Sequence, residues 1–289
     1  MLHFGLDLPC GGACADPRFL AELAALAESS GWDGVFLEDY IVYSKEPDCP
    51  TADVWVALAA MAMATSRIRL GTAVTAASRR RPWKLAREVL TLDHLSGGRV
   101  TLGLGAGDPA DDGFSRFNEE GDPRLRAERL DETLEILGGL FSGQRFSFTG
   151  KHFRVDEVRF LPAPVQDGGV PIWVGGGWPR RAPLRRASGQ RGFMPYRFAP
   201  DNPFVDADDA LEPQDVRRIR EELAELRGDR GLDGFDVVIG GRRRRPDREE
   251  ERAHIAAIAE AGATWWCEWV PPGEPDRMRR AVASGPLRV

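Results

Sequence analysis

From end to end the chain alternates short, β-rich apolar segments with longer helical patterns, and this alternation limits the fold more than any other feature. The strand segments are residues 2–8, 34–37, 68–74, 100–105, 171–174, 192–195, 235–239 and 264–270. Between them lie helical stretches with their own punctuation. Asp16 and Pro17 open one that stops at Gly31, and another runs over residues 53–64. Pro82 opens a third that stops at the Gly97-Gly98 pair. Residues 123–141 carry Leu130, Leu134, Leu137 and Phe141 along one stripe. Two more helices are predicted over 214–227 and 247–261. Residues 144–160 read as a hairpin with Gly150 at its turn, and 199–213 as a Pro/Asp-rich loop. Strands alternating with helices predict a parallel sheet, and eight such units point to an α/β fold of the (β/α)8 TIM barrel type. A doubly wound sheet would want a strand, GxGxxG and helix unit near the N-terminus, and none is there. No composition break marks a second domain, so residues 1–289 read as one barrel.

Composition narrows the function classes. The formal net charge is −6, with 39 basic and 45 acidic residues, which argues against nucleic acid or an anionic membrane as partner. The arginine runs Arg79-Arg80-Arg81 and Arg242 to Arg245 carry no interleaved aromatics. No stretch approaches the roughly 18 apolar residues of a membrane helix, and no signal-like N-terminus is seen, so a cytoplasmic protein is expected. The four cysteines suit reduced thiols in that compartment. His3, His94, His152 and His254 are too far apart in sequence to give zinc-ligand spacing, so no metal site is expected.

In a barrel of this kind, functional groups collect at the C-terminal ends of strands. That places attention on Asp7, Glu38-Asp39-Tyr40, Thr72 to Ala76, Gly105 to Asp108, Gly175 to Arg181, Met194 and the loop after Ile239. Glu38-Asp39-Tyr40 sets two carboxylates and a phenol at one strand tip, although neighbours on an extended chain point to opposite sides. Gly103 to Gly107 and Gly175-Gly176-Gly177 are glycine-rich strand ends, which let backbone approach a ligand. The second is followed by Arg180 and Arg181 at a predicted helix start, a combination suited to a phosphate.

Several motifs in order carry a resemblance. They are Leu70-Gly71-Thr72-Ala73-Val74, Arg81-Pro82-Trp83-Lys84-Leu85-Ala86, Leu92-Asp93-His94-Leu95-Ser96-Gly97-Gly98-Arg99 and Leu102-Gly103-Leu104-Gly105-Ala106-Gly107. Pro162-Ala163-Pro164-Val165-Gln166, Pro171-Ile172-Trp173-Val174-Gly175-Gly176 and Ala261-Gly262-Ala263-Thr264-Trp265 follow. Taken together the chain resembles the bacterial luciferase-like flavin oxidoreductases nearly end to end.

The resemblance implies a TIM-barrel flavoprotein with FMN or the 5-deazaflavin coenzyme F420 across the C-terminal mouth. Gly175, Gly176, Gly177, Arg180 and Arg181 would hold its phosphate. Gly105, Ala106 and Gly107 would pass under the ribityl chain, and Thr72, Ala73, Val74 and Thr75 under the ring. It also implies a non-proline cis peptide between Ala73 and Val74. Asp39 and Tyr40 would be the catalytic pair, with Tyr40 standing where many relatives carry histidine. The chemistry would be hydride transfer with coenzyme F420 or oxygenation with reduced FMN on a small-molecule substrate. A separate flavin reductase or F420-reducing dehydrogenase could supply electrons, and a homodimer is expected. The alternatives are a non-catalytic flavin-binding barrel and, less favoured, a metal-dependent hydrolase.

Overall fold

The computed structural model describes residues 1–43, 48–108, 111–198 and 211–289. Most of the predicted loop, residues 199–210, therefore lies outside the described residues. The strands are β1 (His3–Leu8), β2 (Gly34–Leu37), β3 (Arg69–Thr72), β4 (Thr75–Ala76), β5 (Val100–Gly105), β6 (Arg145–Thr149), β7 (Arg154–Arg159), β8 (Ile172–Trp178), β9 (Gly192–Arg197), β10 (Asp236–Arg242) and β11 (Trp265–Trp269). The helices are α1 (Pro17–Ser29), α2 (Val54–Ala64), α3 (Pro82–Ser96), α4 (Asp112–Ser115), α5 (Pro123–Phe141), α6 (Arg181–Ser188), α7 (Pro213–Arg227), α8 (Arg248–Glu260) and α9 (Pro275–Ala283).

The parallel strands close into a ring. β1 pairs with β2 on one side and β11 on the other, and the order continues through β10, β9, β8 and β5 back to β3. β3 and β4 form one barrel strand interrupted at residues 73–74. Its lower part pairs with β5 at Leu70↔Val100 and Gly71↔Thr101, and its upper part at Thr75↔Leu104 and Ala76↔Gly105. Eight barrel positions result, which is the TIM barrel predicted by the alternation. The antiparallel β6–β7 hairpin stands outside the ring, with Gly150 at its turn as expected. Glu132 of α5 holds that turn by accepting the backbone N–H groups of Lys151, His152 and Phe153.

Local chemistry accounts for the helix starts. Asp16, Asp53 and Asp122 each accept a backbone N–H of the first turn, and Pro17, Pro82 and Pro123 occupy the first helical position. The apolar sides of α1, α2, α3 and α5 pack on the outward faces of the strands in one large core. Two departures from the sequence reading matter. β8 runs on through Gly175, Gly176 and Gly177 to Trp178, paired with β9 as far as Trp178↔Arg197, so the glycines are strand and not turn. The helices α4 and α9 are additional to those predicted.

Candidate active site

Register fixes which side chains point into the barrel. In a parallel sheet, aligned residues share a face. One aligned set is His3, Gly5 and Asp7 on β1, Gly34 and Phe36 on β2, and Trp265, Cys267 and Trp269 on β11. Phe36, Trp173 and Trp265 meet there with ring centroids 4.9, 5.3 and 5.7 Å apart and plug the interior. Glycines supply their room. A Cβ at Gly5 or Gly34 would stand 2.9 Å from the Phe36 ring, and one at Gly192 would strike Trp173. Above the plug, at the strand C-terminal ends, Ala73, Val74, Met194 and Trp269 are half-buried and line an open mouth.

The Ala73–Val74 peptide is cis, as the resemblance implied. Val74 then lies against three glycines of the neighbouring strands. A Cβ at Gly175 would come 2.9 Å from its Cγ1, one at Gly105 3.0 Å from its Cγ2, and one at Gly103 3.2 Å from its Cγ1. Gly105 and Gly175 are thus required first by Val74. Gly176 leaves room for Pro183, Gly177 for Phe198 and Gly107 for Phe114. The four residues expected under a cofactor ring divide in two. The hydroxyl of Thr72 donates to the Gly103 carbonyl at 2.8 Å, and that of Thr75 to Asp39 Oδ2 at 2.7 Å. Both threonines are fully buried, so only Ala73 and Val74 present surface to the mouth. Ala106 is half-buried, and its carbonyl accepts the Ser78 hydroxyl at 2.9 Å.

The three residues at the β2 tip also part company. Asp39 is buried beside the first turn before α3. Arg80 Nη2 reaches both of its carboxylate oxygens at 2.9 Å, and Arg79 donates to its backbone carbonyl. Arg79 also pairs with Asp111, which caps α4. Thr75 and Arg80 thus engage both oxygens of the Asp39 carboxylate. These bonds tie the tip of β2 to the turn before α3. Tyr40 is half-buried and meets Tyr43 edge-on, with centroids 5.6 Å apart. Burial, then the charge of Glu38, pushes its phenol above the ordinary range, so it stays protonated.

Glu38 and Asp7 are the acids that the fold brings to the mouth. Trp269 Nε1 donates to Glu38 Oε1 at 3.0 Å, and Tyr43 also hydrogen-bonds this carboxylate. Asp7 sits on the inner face of β1 aligned with Trp269, 7% exposed, and its Oδ1 has no hydrogen-bond partner. Burial first, and the neighbouring Glu38 charge second, raise its carboxyl to about 8. Both acids stand among the strand-end residues of the sequence, but only the β-phase of His3, Gly5 and Asp7 against Phe4, Leu6 and Leu8 singles out Asp7.

The family model described as luciferase-like monooxygenase matches residues 4–242. The chain belongs to this family. An uncharacterised protein of Mycobacterium tuberculosis is 31% identical over 246 residues, covering 78% of this chain and 81% of its own length. An F420-dependent glucose-6-phosphate dehydrogenase of Nocardia farcinica is 33% identical over 167 residues, 56% of this chain and 48% of that relative. Among solved structures, the coenzyme F420-dependent tetrahydromethanopterin reductase of Methanopyrus kandleri superposes with a TM-score of 0.74. It is 17% identical and covers 98% of both chains, a likeness of fold.

In this luciferase-like barrel the two arginines after β8 differ. Arg180 is exposed at the start of α6 and lies over the Phe198 ring, 4.6 Å from its centroid. Arg181 is turned toward α7, where Glu222 stands 3.9 Å away. At the opposite, N-terminal end of the barrel lies a cavity of about 580 Å³ lined by His3, Asp33, Arg69, Asp236 and Trp265 among others. Its polar groups serve one another and the backbone. Arg69 donates to Thr101, Asp236 accepts from Trp173 and Thr264, and Asp33 accepts from Phe4 and Arg288. Among the described residues no cluster of three or more His, Cys, Asp or Glu could hold a metal, and no helix is long and apolar enough to cross a membrane.

Proposed function

We propose that the chain is an oxidoreductase that exchanges hydride between coenzyme F420 and a small organic substrate bound in the C-terminal mouth. The observation that carries this reading is the mouth itself. The half-buried Ala73–Val74 surface, backed by Gly103, Gly105 and Gly175, offers a flat, largely apolar bed to a ring system. Two acids, the buried Asp7 and the half-buried Glu38, stand in the same opening. The F420-dependent name of the Nocardia farcinica relative supports this choice of cofactor.

When bound, such a cofactor supplies the two-electron redox chemistry; the protein supplies binding, orientation and electrostatics. Ala73 and Val74 would lie against its ring, and the β8 glycines with Arg180 would face its phosphate. Trp269 and Met194 wall the mouth and exclude water, which strengthens every charge interaction within it. Tyr43 and Trp269 hold the Glu38 carboxylate in place. The reading includes a separate enzyme that reduces or oxidises the cofactor, and a homodimer.

The family's description as monooxygenases favours a second reading, oxygenation with reduced FMN in the same bed. Titrating the purified apoprotein with coenzyme F420 and with FMN, followed by the fluorescence of each, separates the two. Saturable F420 binding with weaker FMN binding is the expected result. FMN binding alone would transfer the proposal to oxygenation. Binding of neither would overturn both.

A further inference from the structure

We infer that Asp7 is the proton-carrying group of this mouth, facing the oxygen of the substrate, and that Glu38 is the carboxylate against which it holds its proton. The inference rests on the oxidoreductase reading and deepens it. It assigns the acid/base role, and with it a substrate class, an alcohol or its carbonyl counterpart.

Three observations converge. First, the β1 register puts Asp7 on the inner face at the strand C-terminal end, aligned with Trp269 on one side and Phe36 on the other. Second, Asp7 is more than nine-tenths buried and its Oδ1 has no partner, although other buried carboxylates such as Asp39 and Asp93 are fully engaged. An unpaired polar atom in such a place costs free energy unless something completes it. Third, the two acids are unequal. Burial raises the Glu38 carboxyl, but hydrogen bonds from Tyr43 and Trp269 oppose that and favour its charged form. Asp7 Oδ1 receives none and meets the Glu38 charge instead. Two carboxyls whose surroundings differ in this way divide the work, one ionised and one protonated.

The other titratable groups facing Asp7 do not neutralise it. On β11 it meets Cys267, a thiol that burial keeps protonated. Beyond Glu38 lie Tyr40 and Tyr43, and after β1 Cys10, all pushed above their ordinary ranges by burial first. The guanidiniums of Arg79 and Arg80 are taken by Asp111 and Asp39. With its carboxyl raised to about 8, Asp7 keeps its proton at neutral pH.

The step balances. When a carbonyl substrate is reduced, its carbon gains hydride from the two-electron carrier and the C=O π pair moves to oxygen. That oxygen takes the Asp7 proton, leaving the alcohol and an Asp7 carboxylate. In the direction of alcohol oxidation, the carboxylate recovers the proton as hydride leaves the carbon. The phenol of Tyr40 is not needed for this transfer.

Two measurements test the assignment. The infrared spectrum of the wild-type apoprotein at pH 7, with and without ¹³C-labelled aspartate, should show a protonated carboxyl band that shifts with the label. The band should fade as pH rises through about 8 and be missing in Asp7→Asn. An aspartate-independent spectrum would overturn the inference even if no variant folded. The second measurement is the dissociation constant of coenzyme F420 from pH 6 to 9. Its phosphate makes it an anion, so charging Asp7 beneath it should weaken wild-type binding several-fold, up to about tenfold. In Asp7→Asn that dependence should vanish, with affinity at pH 6 retained. Superimposable curves would overturn the role of Asp7 and leave the functional reading intact. Failure of the wild type to bind F420 would sink that reading, while the infrared result still decides the proton.

Discussion

Asp39 shows how a single residue can be legible in kind while its partners are not. A carboxylate at the tip of β2 is visible in the sequence. Which way it points depends on where the strand ends and on two arginines 40 and 41 positions downstream. Its partners Arg79 and Arg80 look like a solvated charge run when read along the chain, yet the Arg79 side chain is 1% exposed and that of Asp39 3%. Removing one member of a buried pair leaves its partner charged and uncompensated, at a cost of about 3–5 kcal/mol. Asp39→Ala should therefore lower stability by about 3–5 kcal/mol in urea denaturation. Asp39→Asn should cost less, because its amide oxygen still accepts from Thr75 and Arg80. A stable Asp39→Ala protein that had lost only turnover would give Asp39 a direct part in the reaction. The same limit applies to Val74 and its three glycines. The sequence shows glycine at positions 103, 105 and 175, but only the packed barrel shows that Val74 requires the last two and the Thr72 carbonyl the first.

At the level of elements, β8 carries the main difference between sequence and structure. Glycine weakens a strand in isolation, so a strand predicted to stop at Val174 follows from local preference. Pairing with β9 outweighs that preference and extends β8 to Trp178, which moves the turn to Pro179 and Arg180. The elements marked by side-chain punctuation fared better, since an aspartate cap or a first-turn proline acts within a few residues and needs no tertiary partner. The displaced turn separates two arginines that look equivalent in sequence. Arg180→Ala should weaken F420 binding by about 1.5–3 kcal/mol, the range for a hydrogen bond to a charged group. Arg181→Ala should change it by less than about 0.5 kcal/mol, since the Arg181 side chain is 78% exposed and turned toward Glu222. Fluorescence titration of the two single variants checks both values. Equal losses would place the phosphate between them, as the sequence alone suggested.

Across the whole molecule, the aromatic plug of Phe36, Trp173 and Trp265 divides the barrel into two ends with different duties. The C-terminal end holds Asp7, an incompletely satisfied carboxyl, and the half-buried apolar surface of Ala73 and Val74. At the N-terminal end each polar group named has a partner within the protein. Arg69 is the clearest case, with Thr101 Oγ1 at 3.0 Å and Gln166 Oε1 at 3.4 Å, while burial lowers its guanidinium from the ordinary value and Asp236 opposes that shift. Unmet hydrogen bonding at one end and partnered polar groups at the other is the pattern of a barrel that binds at its strand C-termini and is stabilised below them. Arg69→Met should then cost about 1–3 kcal/mol of stability, from two lost bonds and a half-buried Asp236 left without its opposing charge. Mutations separated by more than about 7–10 Å with no shared partner add nearly independently, so F420 affinity in that variant should stay within about twofold of wild type. Urea denaturation and cofactor titration on the same preparation give both numbers. A variant that kept its stability but lost the cofactor would show that the N-terminal cavity, and not the mouth, governs binding.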